Sequence, residues 1–218
     1  MTNEAKILIG ISVATIAIVI GASLLIGGKT PSENAAPIAN AEALRRSDSN
    51  VEGTKQSKVT IVEFGDFQCP ACGAAHPVVQ QVLREYEGKV TFVFRNFPLA
   101  MHKNANVAAQ AAEAAGAQGK FFEMHDELFS NQKDWENSAN PMDQFTKYAT
   151  DLKLDVDKFK ADVESKKFEK KIEQDVNDGY AVGVSATPTF FINGVKQEGG
   201  LQLTDFKEII DAELAKES

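Results

Sequence analysis

Residues 59–64, Val-Thr-Ile-Val-Glu-Phe, are β-branched and mostly apolar, and a strand is predicted over 58–64. A loop follows at 65–68. Pro70 then stands where a first helical residue would, since its missing N–H costs nothing there. Val78, Val79, Val82, Leu83 and Tyr86 continue a helical face that should kink at Pro77 and end near Gly88. A second strand is predicted over 89–95, with Val90, Phe92 and Phe94 on one side.

A helical block comes next, with segments at 104–115, 120–130, 141–150 and 155–163. After it Phe168, Ile172, Val176 and Tyr180 recur every fourth residue. Two short strands, 189–192 and 195–197, flank the hairpin turn signal Asn193-Gly194. Gly199-Gly200 reads as a bend, and Thr204 as the cap of a last helix with Phe206, Ile209, Ile210 and Leu214 inward. The order is strand, helix, strand, helices, strand, strand, helix. This is an α/β domain over 56–218, its small mixed sheet interrupted by a helical insertion at about 103–181.

The N-terminal pattern is different. Residues 7–26 carry no charge, and about 20 apolar residues cross a bilayer core of ~30 Å. The run is longer than the apolar region of a cleavable signal peptide, roughly 7–15 residues. The reading is a cytoplasmic N-terminus at 1–6, an uncleaved transmembrane anchor at 7–28 and a flexible linker at 29–55, in which a short helix near 39–46 is possible. A signal peptide and a buried core helix are the alternatives. No cysteine lies near the run, which excludes a lipid-modified cysteine anchor. The flanking Lys6, Lys29, Arg45 and Arg46 barely orient it.

Composition adds exclusions. With 43% hydrophobic and 25% charged residues the chain is ordinary for a globular protein, and a net charge of −8 without a basic stripe argues against nucleic acid as a partner. There are two cysteines, both in Cys69-Pro70-Ala71-Cys72. No disulfide framework is possible, and two thiols at this spacing point to redox chemistry. Such a pair fits an oxidising compartment, so the catalytic domain is expected outside the cytoplasm. A zinc site on Cys69, Cys72 and His76 would need a further ligand pair that the chain lacks. A structural disulfide in a non-enzymatic chaperone or binding module is another reading. No cofactor or metal is called for.

Cys69, at the helix N-terminus, is the expected attacking thiol, and Cys72, one turn in, the resolving one. Glu63 shares a strand face with Val59 and Ile61. Buried there, it would have a raised pKa and exchange protons near neutrality; at a sheet edge it would do nothing. His76, one turn beyond Cys72, reads as packing or surface, His102 and His125 as structural, and Trp135, Phe67, Phe97, Met101 and Met124 as core.

Three segments together carry a family resemblance: residues 62–72, Val-Glu-Phe-Gly-Asp-Phe-Gln-Cys-Pro-Ala-Cys; residues 121–129, Phe-Phe-Glu-Met-His-Asp-Glu-Leu-Phe; and residues 183–194, Gly-Val-Ser-Ala-Thr-Pro-Thr-Phe-Phe-Ile-Asn-Gly. They resemble the active-site segment, helical insertion and cis-proline loop of DsbA-like thiol–disulfide oxidoreductases, over about 55–216. The resemblance implies a thioredoxin-like fold, a cis Thr187-Pro188 bond beside the cysteines, substrate pairing at Thr187 and Pro188, and an acid at Glu63 in proton transfer. It implies protein substrates bearing thiols or disulfides and a membrane redox partner. Oligomeric state is left open. The resemblance implies an oxidase that introduces disulfides into secreted or surface proteins; the strongly oxidising members carry Pro-His between the cysteines, and Pro70-Ala71 here keeps a reductase or isomerase of the same fold as the alternative.

Overall fold

The computed structural model describes residues 41–54, 57–197 and 200–216. The expected N-terminus 1–6, the anchor 7–28 and the linker up to residue 40 lie outside the described residues. Among the described residues no helix is long and apolar enough to cross a membrane.

Strand β1 (Asn50–Gly53) is an edge strand, antiparallel to β3 (Val90–Asn96). Strand β2 (Val59–Gly65) runs parallel to β3 on one side and antiparallel to β4 (Thr189–Ile192) on the other, and β5 (Val195–Gln197) closes the sheet in the order β1-β3-β2-β4-β5. Both central strands are sandwiched, so β2 and β3 are buried almost throughout. One face, with Val59, Ile61, Val90, Phe92, Phe94, Phe190 and Ile192, belongs to the larger core. Helix α2 (Pro70–Glu85) supplies Cys72, Val79 and Val82 to that core, and α9 (Leu203–Ala215) supplies Phe206 and Ile210. The helical block α3 (Ala105–Gly116), α4 (Phe121–Ser130), α5 (Gln132–Trp135), α6 (Met142–Asp151) and α7 (Val156–Glu164) extends it. The other face, with Val62, Phe64, Val93 and Phe191, packs on Val182, Val184, Phe97 and the short helix α1 (Ala41–Leu44).

Several expectations are corrected. Helix α1 is the short helix read near 39–46, but strand β1 also falls inside the stretch read as linker. Arg95, fully buried, reaches from β3 to the Ala43 carbonyl at 2.7 Å, and Ala43 and Leu44 are buried. The same guanidinium pairs with Asp175 (2.7 Å) and Asp178 (2.6 Å) on α8 (Glu169–Ala181), so three partners satisfy its donors inside the core. Helix α2 continues through Pro77 to Glu85, as read. Gln202, not Thr204, caps α9: its side chain accepts from the Asp205 N–H, and the Asp205 carboxylate accepts from the Gln202 N–H. Met101, read as core, is 82% exposed, and Tyr180, the last residue of the α8 stripe, is 63% exposed while packing edge-on to Phe97. The Asn193-Gly194 turn stands as read, with φ of 47° and 81°. Asn193 Oδ1 also accepts the Thr60 N–H at 2.8 Å, tying the hairpin to β2.

Gly179 lies where α8 crosses the sheet. A Cβ there would sit 2.7 Å from Phe97 Cε2 and 3.0 Å from Phe64 Cδ1, rings already packed edge to face. Gly179→Ala is expected to destabilise the fold by about 1–3 kcal/mol, read as a lower urea midpoint at unchanged slope.

Candidate functional site: a buried dithiol under a cis-proline loop

Cys69 is the N-cap of α2, in extended conformation, with Pro70 opening the helix. Its N–H is held by the Asp66 carbonyl at 3.0 Å, and its carbonyl accepts from Gly73 at 3.1 Å. Both cysteines are free thiols. Cys69 is 7% exposed and Cys72 is wholly buried, whereas Pro70 and Ala71 between them are exposed. An incoming sulfur thus meets Cys69 first.

The Thr187-Pro188 peptide bond is cis. Its loop sits against the motif, where the Cys69 Sγ–H donates to the Thr187 carbonyl at 3.4 Å. Thr187 Oγ1 is buried beside it without a hydrogen-bond partner in the dithiol form, and Thr187 is among the groups that lower the Cys69 pKa. That thiolate is stabilised first by the Cys72 S–H, then by Thr187 and the backbone N–H groups of Cys72 and Ala71. Together these outweigh burial and bring Cys69 from the ordinary 9.0 down to about 5. Cys72 moves the opposite way: burial, its hydrogen bond to Cys69, and the charges of Glu63 and Cys69 hold it well above 9.0. Two thiols in one motif are therefore split into a ready thiolate and a retained thiol.

Glu63 lies on the central strand β2, paired with Phe94 and Phe190 on either side, and is 3% exposed. The sheet-edge reading is thereby removed. It shares the face of Val59 and Ile61, the face that receives Cys72. Burial, then the Cys69 charge, pushes its carboxyl up to about 8. Gly65, two residues on, makes room: a Cβ there would lie 2.5 Å from Phe94 Cε2 and 3.1 Å from Glu63 Oε1.

Other residues that hold the motif escaped the sequence reading. Asp66, 1% exposed, accepts from Gln68 N–H (2.7 Å) and Leu99 N–H (2.9 Å), and its Oδ2 lies 2.7 Å from His102 Nδ1. Gln68 accepts the Asn104 N–H at 2.6 Å and donates to the Glu136 carbonyl at 2.7 Å. Gln132, on α5, donates to the Phe67 and Cys69 carbonyls at 2.7 and 3.0 Å. The helical insertion thus clamps the backbone on both sides of Cys69. An Asp just past the end of an apolar strand, three residues before Cys69, was visible in the sequence; Gln132, 63 residues from Cys69, carried no signal. Trp135, Phe67 and Phe97 are core, as read. A groove of about 620 Å³ runs beside the first turn of α2, between Pro70 and Gly73 on one side and Asn131, Lys133 and Glu136 on the other.

A family model described as thioredoxin matches residues 46–212. Among solved structures, a thioredoxin-like oxidoreductase from Silicibacter pomeroyi DSS-3 superposes with a TM-score of 0.70 at 26% identity, covering 82% of this chain and all of that one. BdbD from Bacillus subtilis does so with a TM-score of 0.70 at 26% identity, covering 77% of this chain and 94% of its own. Alpha-DsbA1 from Wolbachia pipientis gives 0.71 at 25% identity over 80% and 95%. A stretch of 155 residues, 71% of this chain, is 41% identical to part of a Na(+)/H(+) antiporter NhaA 1 from Salinispora arenicola. The chain spans 23% of that relative's length. With a cis-proline loop over a split thiol pair, and with these likenesses, the chain belongs to the thioredoxin family, among its DsbA-like thiol–disulfide oxidoreductases.

Proposed function

We propose that this chain oxidises protein dithiols to disulfides outside the cytoplasm, held at the membrane by residues 7–28, with Cys69–Cys72 as its redox pair. The observation that carries the direction is the Cys69 thiolate, brought to about 5 although Ala71 stands where a histidine would help. The hydrogen bonds around the sulfur supply what that histidine would.

In the oxidising cycle a substrate thiolate attacks Cys69 Sγ of the Cys69–Cys72 disulfide. The enzyme S–S bond breaks, a mixed disulfide forms, and Cys72 departs with the electron pair. The Glu63 carboxyl, protonated near neutral pH, supplies a proton to the buried Cys72 sulfur. The second substrate thiolate then attacks its own chain's sulfur in the mixed disulfide, and Cys69 leaves as the stable thiolate. The substrate is oxidised by two electrons and the enzyme reduced to the dithiol. A membrane redox partner takes the two electrons back. Thr187 and Pro188 present a backbone edge for an extended substrate strand.

A stabilised leaving thiolate favours the reduced enzyme, and so raises its potential by a few tens of mV at neutral pH, at about 30 mV per 1.4 kcal/mol. Equilibration with glutathione is expected to give a potential between about −120 and −200 mV. Alkylation of Cys69 by iodoacetamide should show a midpoint near pH 5. A potential at or below about −270 mV, the thioredoxin value, would make the chain a reductase. An unreactive Cys69 with a potential well below about −300 mV would make the disulfide structural.

A further inference from the structure

The chain has three histidines, and His102 is engaged by Asp66. The other two meet between α2 and α4. His76 is 8% exposed and His125 is 1% exposed, their ring centroids 5.3 Å apart. Asp126, next along α4, turns its carboxylate toward both: Oδ1 is 3.0 Å from His125 Nδ1 and 3.7 Å from His76 Nε2. One ligand atom from each of the three lies within 4.8 Å of the others.

Packing does not account for this cluster. Phe67, Phe94 and Phe129 surround His125, and Phe129 stacks on His76, so apolar side chains would suit the space without polar loss. Instead the cluster carries polar cost: His76 Nδ1 and His125 Nε2, the ring nitrogens other than those nearest Asp126, are buried with no hydrogen-bond partner. Asp126 satisfies His125, but at 3.7 Å it does not hydrogen-bond His76. The 3.0 and 3.7 Å separations bracket the ligand–ligand edge of about 3.3–3.4 Å in a tetrahedron with bonds of about 2.0–2.1 Å.

We propose that His76, His125 and Asp126 form a binding site for a divalent transition-metal ion, zinc being the ion this set of two imidazoles and one carboxylate suits. Asp126 is 43% exposed, so water completes the fourth position from the solvent side. Glu52 of β1 faces the same region with a buried, unpartnered Oε2, and the charges of Asp126 and Glu123 act on it; a cation relieves that repulsion. Gln80 Nε2 donates to Asp126 Oδ1 at 3.1 Å and orients it. The ion joins α2, the helix that carries the thiols, to the insertion.

The test uses the full-length chain without an affinity tag, with Cys69→Ser and Cys72→Ser in place so that the thiols cannot hold the metal. Calorimetric titration with zinc should show one ion per chain. Cobalt should give the visible bands of a tetrahedral site without thiolate charge-transfer absorption. Asp126→Asn, at an exposed position that leaves the fold intact, and His76→Gln should each weaken zinc at least about tenfold, with circular dichroism of the metal-free proteins unchanged. The proposal is overturned if the cysteine-free chain binds no zinc, if binding requires the cysteines, or if Asp126→Asn leaves the affinity unchanged. Should His76→Gln fail to fold, the Asp126 variant and the cobalt spectrum decide.

Discussion

Cys69→Ser is expected to abolish disulfide exchange, and Cys72→Ala to arrest it half-way. The two thiols differ in access and in charge: Cys69 meets solvent and ionises at about 5, whereas Cys72 is fully buried and retains its proton. At neutral pH nearly all Cys69 is thiolate. A serine hydroxyl there is neither ionised nor able to form the S–S bond, so turnover should fall on the order of 10³-fold or more. Cys72→Ala keeps the more accessible sulfur but removes the one that resolves the intermediate. Mixed disulfides with client proteins should then accumulate on Cys69, seen as reductant-sensitive bands on non-reducing gels of membrane extracts. Residual oxidation of a reduced test protein by the Cys69→Ser chain would reverse the assigned roles.

Glu63→Gln is expected to act on rate and on stability together. A buried carboxyl at about 8 is mostly protonated at neutral pH yet close enough to it to exchange its proton, the range in which general acid–base groups contribute roughly 10²–10⁴-fold. The variant should slow the steps that move a proton on or off Cys72 by about 10²-fold, in both directions of exchange. For stability, the folded value lies above the ordinary 4.5. Below about pH 4.5 Glu63 is protonated in both states. As pH rises toward 8 the unfolded chain gives up the proton while the folded one keeps it, so stability falls across that window. At about 1.36 kcal/mol per unit the loss is roughly 4–5 kcal/mol. Cys69 slopes oppositely in the dithiol form: its contribution is full above 9.0 and is lost as pH falls through about 5. The difference between wild type and variant isolates Glu63. Urea unfolding at pH 5 and pH 8 should show Glu63→Gln gaining several kcal/mol relative to wild type at the higher pH. An unchanged difference, with unchanged rates, would remove Glu63 from the mechanism.

Much of this arrangement was legible along the chain. The alternation in β2 and β3, the Pro70 helix start and the Asn193-Gly194 turn are local rules, and they hold because each depends on neighbours a few residues away. The cysteine pair stood out because the chain has no other cysteine. Strand β1 left no trace: it is four residues at a sheet edge, bonded through its backbone to β3, so its side chains carry no apolar period. The exposed Met101 and the Gln202 cap were misread because apolarity and cap preference are averages that one loop can override.

The residues alone singled out the thiols expected to react, Cys69 and Cys72, and showed that a helix begins at them and that Glu63 lies on the strand face shared with Val59 and Ile61. Only the tertiary structure decided how the two thiols differ. Their pKa values depend on burial and on hydrogen bonding with groups such as Thr187, 118 residues away, and no local pattern encodes a separation of that kind. The same holds for Gln132 beneath Cys69 and for His76 beside His125. Electrostatics and hydrogen bonding act over a few Å of space, and the chain brings those groups within reach only once its sheet and its helical insertion have packed.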